Sequence, residues 1–302
     1  MGGRTVAVSH PDKEMFPEDG ITKAELIDYY RTVARPMLTH IRDRPLVMER
    51  YPDGYLGRSF YHKDVPGHFP DWIRTVEVAK EGGSLTMVVC DDTATLVYLA
   101  NQACLTPHPW LSPADDLDRP DRLVFDLDPA DVEDAFETVR WTARTLRELL
   151  TELGLRPALM TTGSRGLHLL VPLERGPDFD TVRNFAHAVA DVLAGRHDDR
   201  LTTEPRKKKR RDRLYLDVQR NAYAQTSVAP YAVRARPHAP VATPLDWAEL
   251  DDPELGPRSW TLRTLPERLD THGDPWKGLG RSRRSLARAQ ERLAELTGTS
   301  AT

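Results

Sequence analysis

The sequence predicts a mixed α/β chain, and three observations carry that prediction. Short apolar runs with strand alternation are interspersed with amphipathic stretches of helical period. Some neighbouring strand-like runs are joined by tight Gly-containing turns, as in hairpins, and others by helices, as in crossovers. Apolar residues make up 39% of the 302 residues and aromatics 7%, enough for a substantial core. The balance of 42 basic against 46 acidic residues leaves a net charge of -4, so any polyanion site is a local basic patch. Two cysteines, Cys90 and Cys104, exclude a disulfide framework and a four-cysteine zinc site. The N-terminus has no signal-peptide core and no apolar run reaches membrane-spanning length, so no membrane role and a cytoplasmic place are expected.

The elements follow in order. "DGITKAELIDYYRTVARPML" reads as a helix with a Thr22/Glu25 capping box and an apolar face of Leu26, Tyr30, Val33 and Met37. "PLVMERY", "RTVEV" and "SLTMVV" read as strands and "DTATLVYLANQA" as a second helix. The loop "TPHPWLSPADDLDRPD" leads into the strand "RLVFDLDP". After Pro129 an amphipathic helix carries Val132, Phe136, Val139, Ala143, Leu146, Leu150 and Leu153, closed by Gly154. "PALMTTGSRGLHLLVPL" reads as strand, tight turn, strand, and "DTVRNFAHAVADVLAG" as a helix ending at Gly195. The basic run from Arg206 to Arg211 reads as a solvated loop, and "RLYLDVQRN" as a strand with Asp217 in its middle. The Pro-rich segment from Ala229 to Trp260 reads as extended chain laid over a core, and "SRRSLARAQERLAELTG" as a peripheral helix.

Chemistry concentrates in three places. Asp126 and Asp128, two apart on a strand, share the face opposite Leu123, Phe125 and Leu127. Asp217 stands opposite Leu214, Leu216 and Val218, where a lone carboxylate is costly unless paired or metal-bound. Three carboxylates on strand faces suit hard cations such as Mg²⁺ or Mn²⁺. In "TTGSRGLHLL", Gly163 and Gly166 bracket Ser164 and Arg165, and His168 leaves the following strand on the side away from Leu167 and Leu169. Such a turn offers N–H groups, a hydroxyl and a guanidinium to a phosphate; it is not a Walker A loop, since no Gly-Lys-Ser/Thr follows.

The order "VFDLDP", "TTGSRGLHLLVPL", "YLDVQRN" resembles the archaeo-eukaryotic primase superfamily, and more closely the polymerase domain of bacterial ATP-dependent DNA ligase D and its stand-alone relatives. "HPDKEMFPEDGITKAELIDYY", "RSFYHKDVPGHFPDWIRTV", "NQACLTPHPW", "DRPDRLVFDLDP" and "APYAVRARPHAPVATPLDW" extend the resemblance to about Trp260. It implies a primase-like fold with mixed sheets flanked by helices. It implies that Asp126, Asp128 and Asp217 hold two Mn²⁺ (or Mg²⁺) ions. It implies that Ser164, Arg165, Gly166 and His168 bind the triphosphate, with His108 and Arg234 near the nucleotide. It assigns Lys13 and Lys23 to a 5′-phosphate on downstream DNA, and Phe60, Tyr61 and Lys63 to the template strand. Arg165 stands where relatives often have Lys, and Tyr61-His62 where some have Phe-Gln. "MERYPDGYLGR" resembles the nucleotidyl-lysine motif of ATP-dependent ligases, but Tyr51 occupies the position of the nucleophilic Lys, so no covalent adenylation is expected.

The expected function is therefore template-directed addition of nucleotides, ribonucleotides preferred, at gapped or broken DNA ends in non-homologous end joining. The resemblance implies as partners DNA with recessed or gapped 5′-phosphate ends, NTP or dNTP, Ku and a separate ATP-dependent DNA ligase, with a monomeric chain in the nucleoid. The expected layout is one primase-polymerase domain over 1–285: 1–115 for DNA-end binding and a sheet, 116–260 for the metal and nucleotide core, and 261–285 as a C-terminal wrap. Residues 286–302 form the helical tail. Two rivals remain at this level. A haloacid-dehalogenase-type phosphatase also starts from a D-x-D strand end, and a catalytically idle DNA-end binder would use only Lys13, Lys23 and the aromatic pair.

Overall fold

Capping residues, apolar stripes and turns set the element boundaries in the computed structural model, which describes residues 4–132 and 135–298. Along the chain run β1 (Glu14–Phe16), β2 (Ile21–Thr22), α1 (Lys23–Ile41), β3 (Pro45–Arg50), β4 (Phe60–His62), β5 (Thr75–Lys80), β6 (Gly83–Val89), α2 (Thr93–Asn101) and β7 (Cys104–Pro109). There follow β8 (Arg122–Asp128), α3 (Ala135–Glu152), β9 (Ala158–Thr161), β10 (Leu167–Pro172), α4 (Phe179–Arg196), β11 (Leu201–Thr202), β12 (Leu214–Asp217), β13 (Pro244–Leu245), α5 (Leu265–His272) and α6 (Leu286–Thr297). The fold class is mixed α/β, and the chain divides into two compact units.

The first unit takes the chain up to Leu117 together with Thr226–Thr243 and Arg258–Lys277. Its main sheet runs β4-β3-β6-β5, with β7 also pairing β3. Thr22 and Glu25 form the capping box that starts α1. Leu26, Tyr30, Val33 and Met37 are all buried, so the stripe read from the sequence faces the core. The segment after Thr226 lies over this core: Ala229, Tyr231, Ala232, Val233 and Val241 are buried, and the Tyr29 hydroxyl donates to the Tyr231 carbonyl at 2.8 Å.

The second unit takes Asp118–Gln225, Pro244–Pro257 and the chain from Gly278. Its six-stranded sheet runs β11-β12-β8-β10-β9-β13, antiparallel throughout except for the parallel pair β11–β12. Leu123, Phe125 and Leu127 of β8 are fully buried, and α3 and α4 pack against this sheet through Val139, Ala143, Leu146 and Leu150 and through Val182, Ala186 and Val189. The tail helix α6 is amphipathic and docks through Leu286, Ala289 and Leu293. Among the described residues no helix is long and apolar enough to cross a membrane.

Two elements depart from the sequence reading. Helix α3 begins at Ala135, and Val132 is exposed ahead of it; Asp131 here is drawn to Arg165, which holds this stretch as a bend. Strand β12 ends at Asp217 instead of running through it, because the Asp217 carboxylate accepts the Gln219 N–H at 2.8 Å and turns the chain into a 3-10 turn at Gln219–Asn221.

Candidate active site

Asp126 and Asp128 leave β8 on the face opposite its buried leucines and Phe125. The register fixes their neighbours: His168 of β10 lies directly across from Asp126 on one side, Asp217 of β12 directly across on the other, and Tyr215 across from Asp128. Direct cross-strand partners hold their Cβ atoms about 4.5–5.5 Å apart, so three strands deliver one row of ionisable groups. His168 Nε2 lies 3.3 Å from Asp126 Oδ1, and Arg220 Nε 3.9 Å from Asp126 Oδ2. Burial, and then the charge of Asp126, push the Asp217 carboxyl above the usual range, while the Gln219 N–H and Arg220 pull it down. Burial and the Asp217 charge also push the Tyr215 hydroxyl up to about 12.

Asp128 carries two arginines. Its Oδ1 accepts from Arg165 Nη2 and its Oδ2 from Arg210 Nη1, both at 2.8 Å. Arg165 also pairs with Asp131; burial works against its charge, but the two aspartates outweigh that and raise its pKa. Arg210 lies 4.0 Å above the Tyr215 ring. Its side chain is only 13% exposed, so one member of the basic run that reads as solvated loop is drawn into the site. Among the described residues no three His, Cys, Asp or Glu side chains are already gathered as a cation cage. The donor set nonetheless fits a hard cation. Two carboxylates oppose each other across the ladder, one with its charge disfavoured by the other, and a third, two residues along, is held by guanidinium groups.

The turn between β9 and β10 presses on the end of β8. The Thr162 hydroxyl accepts the N–H groups of Ser164 and Gly166 at 3.2 and 3.3 Å, and Gly163 takes a left-handed φ of 64°. Gly166 is required by contact: a Cβ there would lie 1.9 Å from the Leu127 carbonyl oxygen. That approach sets Arg165 beside Asp128.

The remaining sequence-selected residues lie in the first unit. His108 is buried, with Nε2 3.0 Å from Glu49 Oε2, and the charge of Arg234 also reaches Glu49. Lys13 pairs with Asp53 at 3.3 Å. Lys23 is buried; its ammonium donates to the carbonyls of Ser9 and Asn101, and its pKa is lowered by burial and by Lys13. The Lys23 N–H bonds the Lys13 carbonyl at 2.8 Å, so the two lysines are neighbours. Phe60 and Tyr61, 42% and 60% exposed, both stay out of the core although they adjoin on β4, and Lys63 beside them is exposed. The sequence reading missed Arg210, Arg220, Tyr215 and Glu49. Arg220, three residues past Asp217, was within reach of a charge-balance argument; the others meet their partners only through sheet register and loop folding.

A family model described as LigD, primase-polymerase domain, matches residues 22–276. The chain is 34% identical over 271 residues, 89% of its length, to the multifunctional non-homologous end joining protein LigD of Mycolicibacterium smegmatis. It is 34% identical over 289 residues, 95% of its length, to the protein of the same name in Pseudomonas aeruginosa. It spans about a third of the length of these relatives, 35% and 34%. Among solved structures it resembles the polymerase domain from Mycobacterium tuberculosis ligase D in complex with DNA, with a TM-score of 0.86 and 32% identity, covering 93% of this chain and 99% of that one.

Proposed function

The chain belongs to the LigD primase-polymerase domain family, whose members are metal-dependent, DNA-directed nucleotidyltransferases, and from that premise we propose that it extends a 3′-hydroxyl at gapped or broken DNA ends during end joining. The observation that carries this reading is the row His168, Asp126, Asp217, with Asp128 and the Gly163–Gly166 turn beside it.

Asp126, Asp128 and Asp217 would hold divalent cations, Mn²⁺ or Mg²⁺, two per site. When bound, such a pair favours the alkoxide of the primer 3′-hydroxyl and offsets charge on the departing pyrophosphate. The 3′-oxygen forms a bond to the α-phosphorus, the bond to the pyrophosphate oxygen breaks, and the hydroxyl proton passes to solvent. Ser164 and the turn's N–H groups would hold the β- and γ-phosphates. Arg165, now on Asp128 and Asp131, would exchange those carboxylates for the triphosphate. His168 would stand against Asp126 and orient it. His108 and Arg234 would contact the nucleotide, Lys13 and Lys23 a 5′-phosphate, and Phe60, Tyr61 and Lys63 the template by stacking and charge. Ribonucleotide preference, Ku, a separate ATP-dependent ligase and a place at the nucleoid belong to the same reading. A haloacid-dehalogenase-type phosphatase usually has Thr or Val two residues past the second Asp, where this chain has Ala130, and an idle end-binder leaves the whole row without a task.

The test is primer extension on a gapped, 5′-phosphorylated duplex with Mn²⁺ and NTP or dNTP. Asp126→Ala and Asp217→Ala are each expected to reduce extension at least about a thousandfold, the loss of several kcal/mol of transition-state stabilisation. Wild-type-like extension by Asp217→Ala refutes the three-carboxylate assignment.

A further inference from the structure

Glu49 is a carboxylate near the end of β3 that the nucleotidyl-transfer reading does not use, and it is 9% exposed. On the sheet it lies across from Tyr61 of β4 and Thr106 of β7, which puts His108, two residues past Thr106, on its diagonal. Its Oε2 lies 3.0 Å from His108 Nε2, and its Oε1 accepts the Tyr51 hydroxyl at 2.7 Å. The Tyr61 ring meets the His108 ring edge-on with centroids 5.7 Å apart. Two residues assigned to the nucleotide by family resemblance, His108 and Arg234, thus converge on one carboxylate that no sequence motif singles out.

A buried carboxylate needs its charge answered. Burial alone would raise the Glu49 carboxyl, but the hydrogen bond and charge of His108, the Tyr51 hydroxyl and the Arg234 charge bring it down to about 2. An ionised carboxylate can only accept, so His108 Nε2 must donate, which fixes the ring's tautomer and turns Nδ1 away from Glu49. Three neighbouring groups are neutral: burial pushes the Tyr51 hydroxyl and the Cys104 thiol up to about 12, and raises the buried Tyr30 hydroxyl well above its ordinary value.

We propose that Glu49 is a positioning residue, which holds His108 in its Nε2–H tautomer, turned toward the Glu49 carboxylate, so that the ring is set for the nucleotide before it arrives. The proposal rests on the reading that His108 touches the nucleotide. In ¹⁵N-histidine spectra of the wild-type chain at neutral pH, His108 carries its proton on Nε2, and in Glu49→Ala the tautomers mix. In gap filling, Glu49→Ala raises KM for NTP about tenfold, the order expected for one lost charge-assisted hydrogen bond, with kcat within about twofold. The cost nearly vanishes when His108 is already Ala, because the pair acts as a unit. Glu49→Gln keeps the shape but can donate as well as accept, so it is the variant to use if Glu49→Ala does not fold; it too lets the tautomers mix and raises KM. A wild-type His108 protonated on Nδ1 alone, a tautomer unchanged in Glu49→Ala, or costs that simply add to those of His108→Ala overturn the proposal. An unaltered KM in His108→Ala fails the underlying reading of His108, which is a separate result from an unaltered tautomer.

Discussion

A methyl group on Gly166 would sit 1.9 Å from the Leu127 carbonyl oxygen, a backbone atom with no freedom to give way. The turn would have to lift from the end of β8 and carry Ser164 and Arg165 with it. Gly166→Ala is therefore expected to cost about 1–3 kcal/mol in urea unfolding and to raise the nucleotide KM, the range of strain and overpacking at a fixed backbone contact. Unfolding and KM both like wild type would mean the turn has slack that the contact denies. Much at this scale was legible in the residues themselves: the alternation in "VFDLD" puts both aspartates on one face, and the Gly-bracketed run announces a tight turn, although not its close approach to Leu127. Asp217 was legible as an ill-placed carboxylate, but its place at the strand's end was not, because that is set by its own bond to the Gln219 N–H. Arg210 was hidden inside a basic run whose composition says solvent, and Glu49 inside a strand with no motif around it.

Helix α1 shows how far local signals reach at the scale of elements. Its capping box and the stripe Leu26, Tyr30, Val33, Met37 can be read directly, and both hold. What cannot be read is that the first residue of the helix, Lys23, donates its backbone N–H to the Lys13 carbonyl and is itself buried. Burial, and then the charge of Lys13, lower the Lys23 pKa, a repulsion that a bound anion would relieve. Lys13→Ala removes only a half-exposed ion pair to Asp53 and so leaves the fold intact. It is expected to reduce the preference for 5′-phosphorylated over unphosphorylated gapped DNA about tenfold, the size of one charge-assisted hydrogen bond, in anisotropy titrations. A preference that survives at full size in Lys13→Ala and in the Lys13→Ala/Lys23→Ala double variant would remove the lysines from the phosphate site. Helix α3 marks the opposite case: its stripe is read correctly from Val139 to Leu150, but extending it back to Val132 ignored the turn chemistry around Pro129 and Asp131.

At the scale of the molecule, the sequence supports a mixed α/β class but not the strand order β11-β12-β8-β10-β9-β13. That order decides everything about the site, since it sets His168 and Asp217 on either side of Asp126. Periodicity says which face a residue takes; only non-local pairing says which strand lies next to it. The family resemblance supplied that pairing in advance, by way of motifs whose roles presuppose their meeting.

The central claim is that carboxylates from β8 and β12 act together on divalent cations. Electron paramagnetic resonance titration of free Mn²⁺ in the presence of NTP measures this without turnover. The wild-type chain is expected to bind two Mn²⁺ per molecule, and Asp217→Asn to lose at least one of them or weaken its binding by about tenfold or more. An Asp217→Asn chain that keeps both the number and the affinity of bound Mn²⁺ would contradict it.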